Sequence, residues 1–160
     1  MSTPARVREW LHKQEFTVMS FQQRTATVET AAAAVGCTVA EIAKTLLFMV
    51  GSKPVAVVTS GDMKVNSSLL KKHFHLSGKV VLPRDEQVRR ITGFAPGGVS
   101  PFLLPPDLPL VLDVSLQRFA TIYPAAGDDY SAVPISPLQL QRLTTADFAN
   151  LCQSSPHSLD

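Results

Sequence analysis

Residues 38–59 read TVAEIAKTLLFMVGSKPVAVVT, and this stretch decides the fold. Thr38 and Glu41 stand three apart, a hydroxyl followed by a carboxylate, which is the spacing of a capping box. The spacing predicts a short helix that starts at Thr38, carries Ile42 inward and ends at Lys44 and Thr45. Residues 46–50 are then an unbroken apolar run, which reads as a strand buried on both faces. Gly51-Ser52-Lys53-Pro54 has the composition of a turn, and residues 55–59 read as a second buried strand. Two such strands across a short turn make a hairpin, so the sheet that contains them is mixed rather than purely parallel.

The pattern extends in both directions. Upstream, Val7, Trp10 and Leu11 share one face of a helix over residues 4–14, and residues 16–21 alternate like a strand. The alanine-rich segment 27–35 predicts a tightly packed helix closed by Gly36. Downstream, helices are expected over 66–74 and 84–91, and short strands over 80–82, 110–112, 121–123 and 133–135. Residues 94–106 are rich in glycine and proline and read as a loop. Ser136, Pro137 and Gln139 supply the cap, first-turn proline and reciprocal side chain of a last helix. The expected class is α/β (α+β): one domain over residues 1–152, a mixed central β-sheet surrounded by helices, and a flexible tail over 153–160.

Composition agrees with a globular domain. The chain has 160 residues, 45% hydrophobic and 18% charged, enough to bury a core without staples. Cys37 and Cys152 are far apart and outside any CxxC or Cys/His cluster, so no metal is expected and the thiols suit a reducing compartment. The first residues carry charge without an apolar segment, and the run 46–50 is too short to cross a bilayer. These features read as a cytoplasmic protein without a membrane partner.

The formal net charge is only +2, but its distribution is uneven. Lys71, Lys72, His73, His75 and Lys79 crowd together, and Arg84, Arg89 and Arg90 follow. The cluster could contact phosphates or simply be a solvated helix face. No Walker A loop, GxGxxG, HExxH or GxSxG is present. The histidines are His12, His73, His75 and His157, placed too poorly for a nucleophilic triad.

Two features remain. Lys44 lies among Ile42, Ala43, Leu46 and Leu47, where its ammonium either snorkels to water or lines a pocket and meets an anionic or carbonyl oxygen. In Gly97-Gly98-Val99-Ser100-Pro101, two glycines allow close backbone approach to a ligand, and Pro101 fixes the exit. The alternative is a plain connecting loop.

Together these pieces resemble the YbaK/prolyl-tRNA editing-domain family, in the family's order over roughly residues 21–143. Ala31-Ala32-Ala33-Ala34-Val35-Gly36-Cys37 is similar to its AAxxLG helix end, and Glu41-Ile42-Ala43-Lys44-Thr45-Leu46-Leu47-Phe48 to its IxKTLLF segment. Val58-Thr59-Ser60-Gly61-Asp62 is similar to the strand-to-turn piece that follows, residues 97–101 fit its GxxxP loop, Leu112-Asp113-Val114-Ser115-Leu116 its DxSL piece, and Ala125-Ala126-Gly127 its late AG turn. The resemblance implies hydrolysis of the ester that joins a wrong amino acid to the 3′ end of tRNA. It also implies a catalytic Lys44, with Thr45, Gly97, Gly98, Val99, Ser100, Pro101 and Gly127 binding substrate. No cofactor or metal is implied. The charged 3′ end of tRNA is the expected partner, and prolyl-tRNA synthetase could hand it over.

After Gly127 the chain reads Asp128-Asp129-Tyr130-Ser131, unlike the best-known branch, which argues against that branch's cysteine specificity. Two other readings stay open. One is a non-catalytic module that binds tRNA ends or a nucleotide beside a synthetase; the other is a small-molecule enzyme unrelated to RNA.

Overall fold

The computed structural model describes residues 3–154. In chain order its elements are α1 (Thr3–Lys13), β1 (Met19–Ser20), α2 (Val28–Val35), β2 (Ile42–Val50), β3 (Lys53–Ser60), β4 (Met63–Val65), α3 (Ser67–Phe74), β5 (Val80–Val81) and α4 (Asp85–Thr92). There follow β6 (Leu110–Asp113), β7 (Tyr123–Pro124), β8 (Ser131–Ala132), α5 (Pro137–Thr144), β9 (Asp147–Ala149) and β10 (Cys152–Ser154). Six strands form the central sheet, in the order β5-β2-β3-β6-β9 with β7 also on β2. β2 runs antiparallel to β3 and β5; the pairs β2·β7, β3·β6 and β6·β9 are parallel. The sheet is mixed, as the hairpin requires.

The β2–β3 hairpin is the spine of the fold. Its register runs from Ala43 opposite Ser60 to Val50 opposite Lys53. The middle of β3 is fully enclosed, with Val55, Ala56, Val57, Val58 and Thr59 all at 1% exposure or less. Successive side chains alternate between faces. On one face Val55 and Val57 pack with Leu70 of α3 and Leu151. On the other, Ala56 and Leu47 pack with Val88 of α4 and Leu108. A larger cluster behind the sheet joins Val7 and Leu11 of α1 to Phe94, Phe102, Leu112 and Leu140.

Several expectations need correction. The Thr38 start yields a single 3-10 turn over Val39–Glu41, not an α-helix. Glu41 Oε1 accepts both the Thr38 N–H (2.9 Å) and its hydroxyl (2.8 Å), and Ile42 then takes up strand pairing through the Gly61 N–H. Lys44 and Thr45 therefore lie inside β2, not at a helix end. Pairing on both sides of residue 42 outweighs a local helical signal too short to sustain itself.

β2 is also not buried on both faces along its length: Leu46, Phe48 and Met49 are only partly covered. The strand expected over 16–21 contracts to Met19–Ser20, because only those residues meet a partner, Ser131–Ala132. Expected strands at 121–123 and 133–135 are displaced; Ile122 and Ile135 form an isolated bridge flanked by β7 and β8. Gln153 and Ser154, expected in the tail, pair with Lys64 and Met63. The rest of that tail and His157 lie outside the described residues. No helix among the described residues is long and apolar enough to cross a membrane.

Candidate functional site

The free edge of β2 places the site. β7 covers this edge at Ile42 and Ala43, and β5 covers it at Met49 and Val50. Among the described residues no strand pairs with the edge between those ends. The Ile42 carbonyl bonds toward Gly61 on the β3 side, whereas the Gly51 N–H bonds to Lys79 on the β5 side. Backbone groups alternate in direction along an antiparallel strand, so the N–H and C=O of Thr45 and Leu47 face the free edge.

A cavity of about 300 Å³ wraps round this edge. It is walled by Thr25, Ala26 and the first turns of α2 on one side, by residues 42–46 of β2, by Gly97 and Val99, and by Tyr123, Ala125, Ser131 and Ala132 opposite. Lys44 and Thr45 point to opposite faces of β2, yet both line it.

Each wall is held in place by local bonds. α2 begins at Thr27, whose hydroxyl accepts the Thr30 N–H at 3.1 Å while Thr30 Oγ1 accepts the Thr27 N–H at 3.1 Å. The Gly97 backbone has φ +83°, and a Cβ on it would stand 3.2 Å from Ala26 Cβ. A Cβ on Gly98 would lie 2.8 Å from the Asp128 carbonyl carbon. The glycine pair thus lets its loop lie between residues 24–27 and 128–129. Arg24 ties those segments together through Asp129 (2.7 Å), and Arg8 reaches Asp128 at 3.3 Å. The Ala125 carbonyl accepts the Ser100 hydroxyl at 2.8 Å, and Ser131 Oγ accepts the Ala126 N–H at 3.2 Å.

Of the residues singled out from sequence, Lys44, Thr45, Gly97 and Val99 meet at the cavity. Gly98, Ser100, Pro101 and Gly127 are not among its lining residues. Gly98 and Ser100 brace the walls, Pro101 lines a separate groove beside Trp10, and Gly127 (φ +113°) packs against Pro4 and Val7 of α1. Sequence reasoning missed Thr25, Tyr123, Ser131 and the small residues beside them. Ala125 belongs to the recognised Ala125-Ala126-Gly127 turn, but nothing local marks the others.

The electrostatics centre on Lys44. Burial holds its ammonium below the ordinary lysine range, partly offset by attraction to Asp62 and Glu29. Burial also pushes the Cys152 thiol up to about 12, so that thiol is neutral near pH 7. Cys152 Sγ lies 3.1 Å from Thr59 Oγ1, beneath Lys44 in the register. Thr45 Oγ1 is buried without a hydrogen-bond partner. An unsatisfied buried hydroxyl costs about 1–3 kcal/mol. The lining carries no carboxylate and no imidazole; its ionisable side chains are Lys44 and Tyr123. Such a site can orient a substrate and stabilise negative charge, but it offers no side-chain general base of ordinary type.

Comparison with known proteins bears on this geometry. A family model described as an aminoacyl-tRNA editing domain matches residues 22–143. The uncharacterized protein YwhH of Bacillus subtilis is 36% identical over 131 residues, 81% of this chain and 82% of that protein. Proline–tRNA ligase of Leuconostoc mesenteroides is 30% identical over 89 residues, which are 56% of this chain but 15% of the ligase. Among solved structures, hypothetical protein APE2540 superposes with TM-score 0.83 at 32% identity, covering 92% of this chain and 99% of that one. A candidate trans-editing enzyme for prolyl tRNA synthetase superposes with TM-score 0.84 at 28% identity, covering 96% and 99%.

Proposed function

This chain belongs to the aminoacyl-tRNA editing domain family, and from that premise we propose that it hydrolyses the ester joining a wrongly attached small amino acid to the 3′ end of tRNA, tRNA(Pro) above all. Synthetase pockets discriminate weakly between similar small side chains, so a second site that clears the wrong product restores accuracy. The similarity to proline–tRNA ligases and to the candidate trans-editing enzyme supports tRNA(Pro) and a synthetase that hands it over in the cytoplasm.

One observation carries the reading. A single cavity is lined by Lys44, by Thr45 with its unpartnered hydroxyl, and by Gly97 and Val99. An aminoacyl ester is already activated, so orientation and charge stabilisation suffice. Lys44 stabilises the oxyanion that develops as the ester carbonyl is attacked. Thr45 Oγ1 gains the partner it lacks by bonding the substrate, and backbone N–H groups of the glycine loop hold the reacting end. With no carboxylate or imidazole in the lining, the attacking oxygen comes from water or from a hydroxyl of the substrate. The lost proton leaves through solvent or the departing ribose oxygen.

The test is deacylation of tRNA(Pro) charged with Ala, Cys, Ser, Thr or Pro, for wild type beside Lys44→Ala. Release of one or two non-proline amino acids, reduced roughly 10²–10³-fold in a folded Lys44→Ala protein, is expected. No release from any substrate while tRNA still binds would convert the reading to a non-catalytic module.

A further inference from the structure

The free edge of β2 leads out of the cavity toward β5. From Lys44 to Phe48 it covers roughly 13 Å, at about 3.3 Å per residue, before β5 takes up the edge at Met49. β5 is bounded by Lys79 before it and by Leu82-Pro83-Arg84 after it, and Val81 and Leu82 are 41% and 69% exposed. Pro83 has no N–H to extend the ladder along β2.

The helices on either side of β5 pack on opposite faces of the hairpin. α3 lays Leu70 and Phe74 against Val50 and Val57, whereas α4 lays Val88 and Ile91 against Leu47 and Ala56. The far end of the free edge is therefore flanked by helices from both faces.

Those helices concentrate the protein's positive charge. Residues 63–92 hold seven basic and two acidic side chains, an excess of five, against +2 for the whole chain. The other residues therefore carry a net charge of −3. Lys72, Lys79, Arg89 and Arg90 are exposed. Arg84 is engaged with Glu86 at 3.0 Å, but both side chains are over 70% exposed, and such a pair contributes little.

We infer that this surface, β5 with the outer sides of α3 and α4, is where the charged RNA docks. The inference rests on the proposed function. The 3′-terminal strand runs from the cavity along the free edge of β2, where the N–H and C=O of Thr45 and Leu47 meet base edges. Exposed Leu82 supports the next base, and phosphates fall on Lys72, Lys79, Arg89 and Arg90. A polyanion is what the field selects: an added peptide strand would find only a short edge that β7 and β5 cap at both ends, and would have no use for the excess charge.

The test compares wild type with Lys72→Gln/Lys79→Gln/Arg89→Gln/Arg90→Gln, four exposed positions whose change leaves the core intact. Binding of a tRNA(Pro) transcript is followed by fluorescence anisotropy across salt, beside turnover of the charged-tRNA panel. The quadruple variant should bind at least ten-fold more weakly at 0.1 M salt. Its log–log salt slope should be shallower by about 3, at roughly 0.7 per lost single-strand contact. Its loss of turnover should sit in KM, and Arg142→Gln on α5 should match wild type in every measurement. Wild-type turnover with unchanged affinity and slope in the quadruple variant would overturn the docking surface and leave the deacylase standing. Wild type that neither binds nor hydrolyses charged tRNA would remove the functional reading and this inference with it.

Discussion

The two ends of β2 are built on opposite principles. At the Val50 end the hairpin is closed by β5, α3 and α4, and its side chains lie in apolar clusters. At the Lys44 end the strand keeps an uncovered edge, a half-buried cation and a buried hydroxyl without a partner. One strand thus holds the fold at one end and leaves polar potential unspent at the other. Stability and chemistry are divided along a single element, and substitutions should separate them.

The largest effect on folding is expected at Leu47, which is 4% exposed between Ala56 and Val88. Leu47→Ala should cost about 2–4 kcal/mol in urea denaturation and leave turnover per folded molecule near wild type. A large fall in turnover at full folding would mean that the packed end also shapes the site. Next comes Gly98→Ala, whose Cβ would meet the Asp128–Asp129 backbone at 2.8–2.9 Å. That contact must push the 128–131 wall outward, at a cost of roughly 1–3 kcal/mol and with reduced turnover.

Thr45→Val keeps the shape and removes the orphan hydroxyl. The folded state should gain about 1 kcal/mol while deacylation falls on the order of ten-fold. Unchanged turnover would show that the hydroxyl meets no substrate group.

The smallest effect concerns the charge of Lys44. Its pKa is lowered on folding, so its contribution to stability is present above the unfolded pKa of 10.5 and is lost as pH falls through the folded value. At neutral pH the buried ammonium is therefore a net cost. Lys44→Met should raise Tm by roughly 1–3 °C at pH 7, the small figure reflecting a group still in contact with solvent. The gain should shrink at alkaline pH. If the ammonium stabilises the transition state, enzymatic turnover (corrected for spontaneous ester hydrolysis) should fall as pH rises through that lowered value. A Lys44→Met protein less stable than wild type at pH 7 would contradict the sign.

Much of the fold was legible locally. Thr27 and Gly36, Asn66, Gly93 and the Ser136-Pro137 pair mark helix ends because caps act within one turn of chain. The hairpin was legible because two apolar runs flank a turn signal, although pairing extends through Pro54 to Lys53 and leaves a two-residue turn where residues 51–54 were expected. The strands at 63–65, 147–149 and 152–154 were not, since three-residue strands become strands only by finding a partner, here β4 with β10 and β9 with β6. The same holds for the site. Lys44, Thr45 and Gly97 stand out as chemistry in an apolar or turn context. Tyr123, Ser131 and Thr25 become wall residues only when loops far apart in sequence converge.

By itself, then, the sequence determined the caps, the antiparallel pair and the identity of the lysine motif, because these depend on neighbours within a few residues. Only the tertiary structure decided that Lys44 sits mid-strand rather than at a helix end. Only it left the edge of β2 bare between β7 and β5, beside a cavity lined by successive residues of that strand. Which edge of a strand is covered depends on segments far away in the chain, such as Pro124 opposite Ala43, 81 residues apart, and no local pattern encodes such pairing.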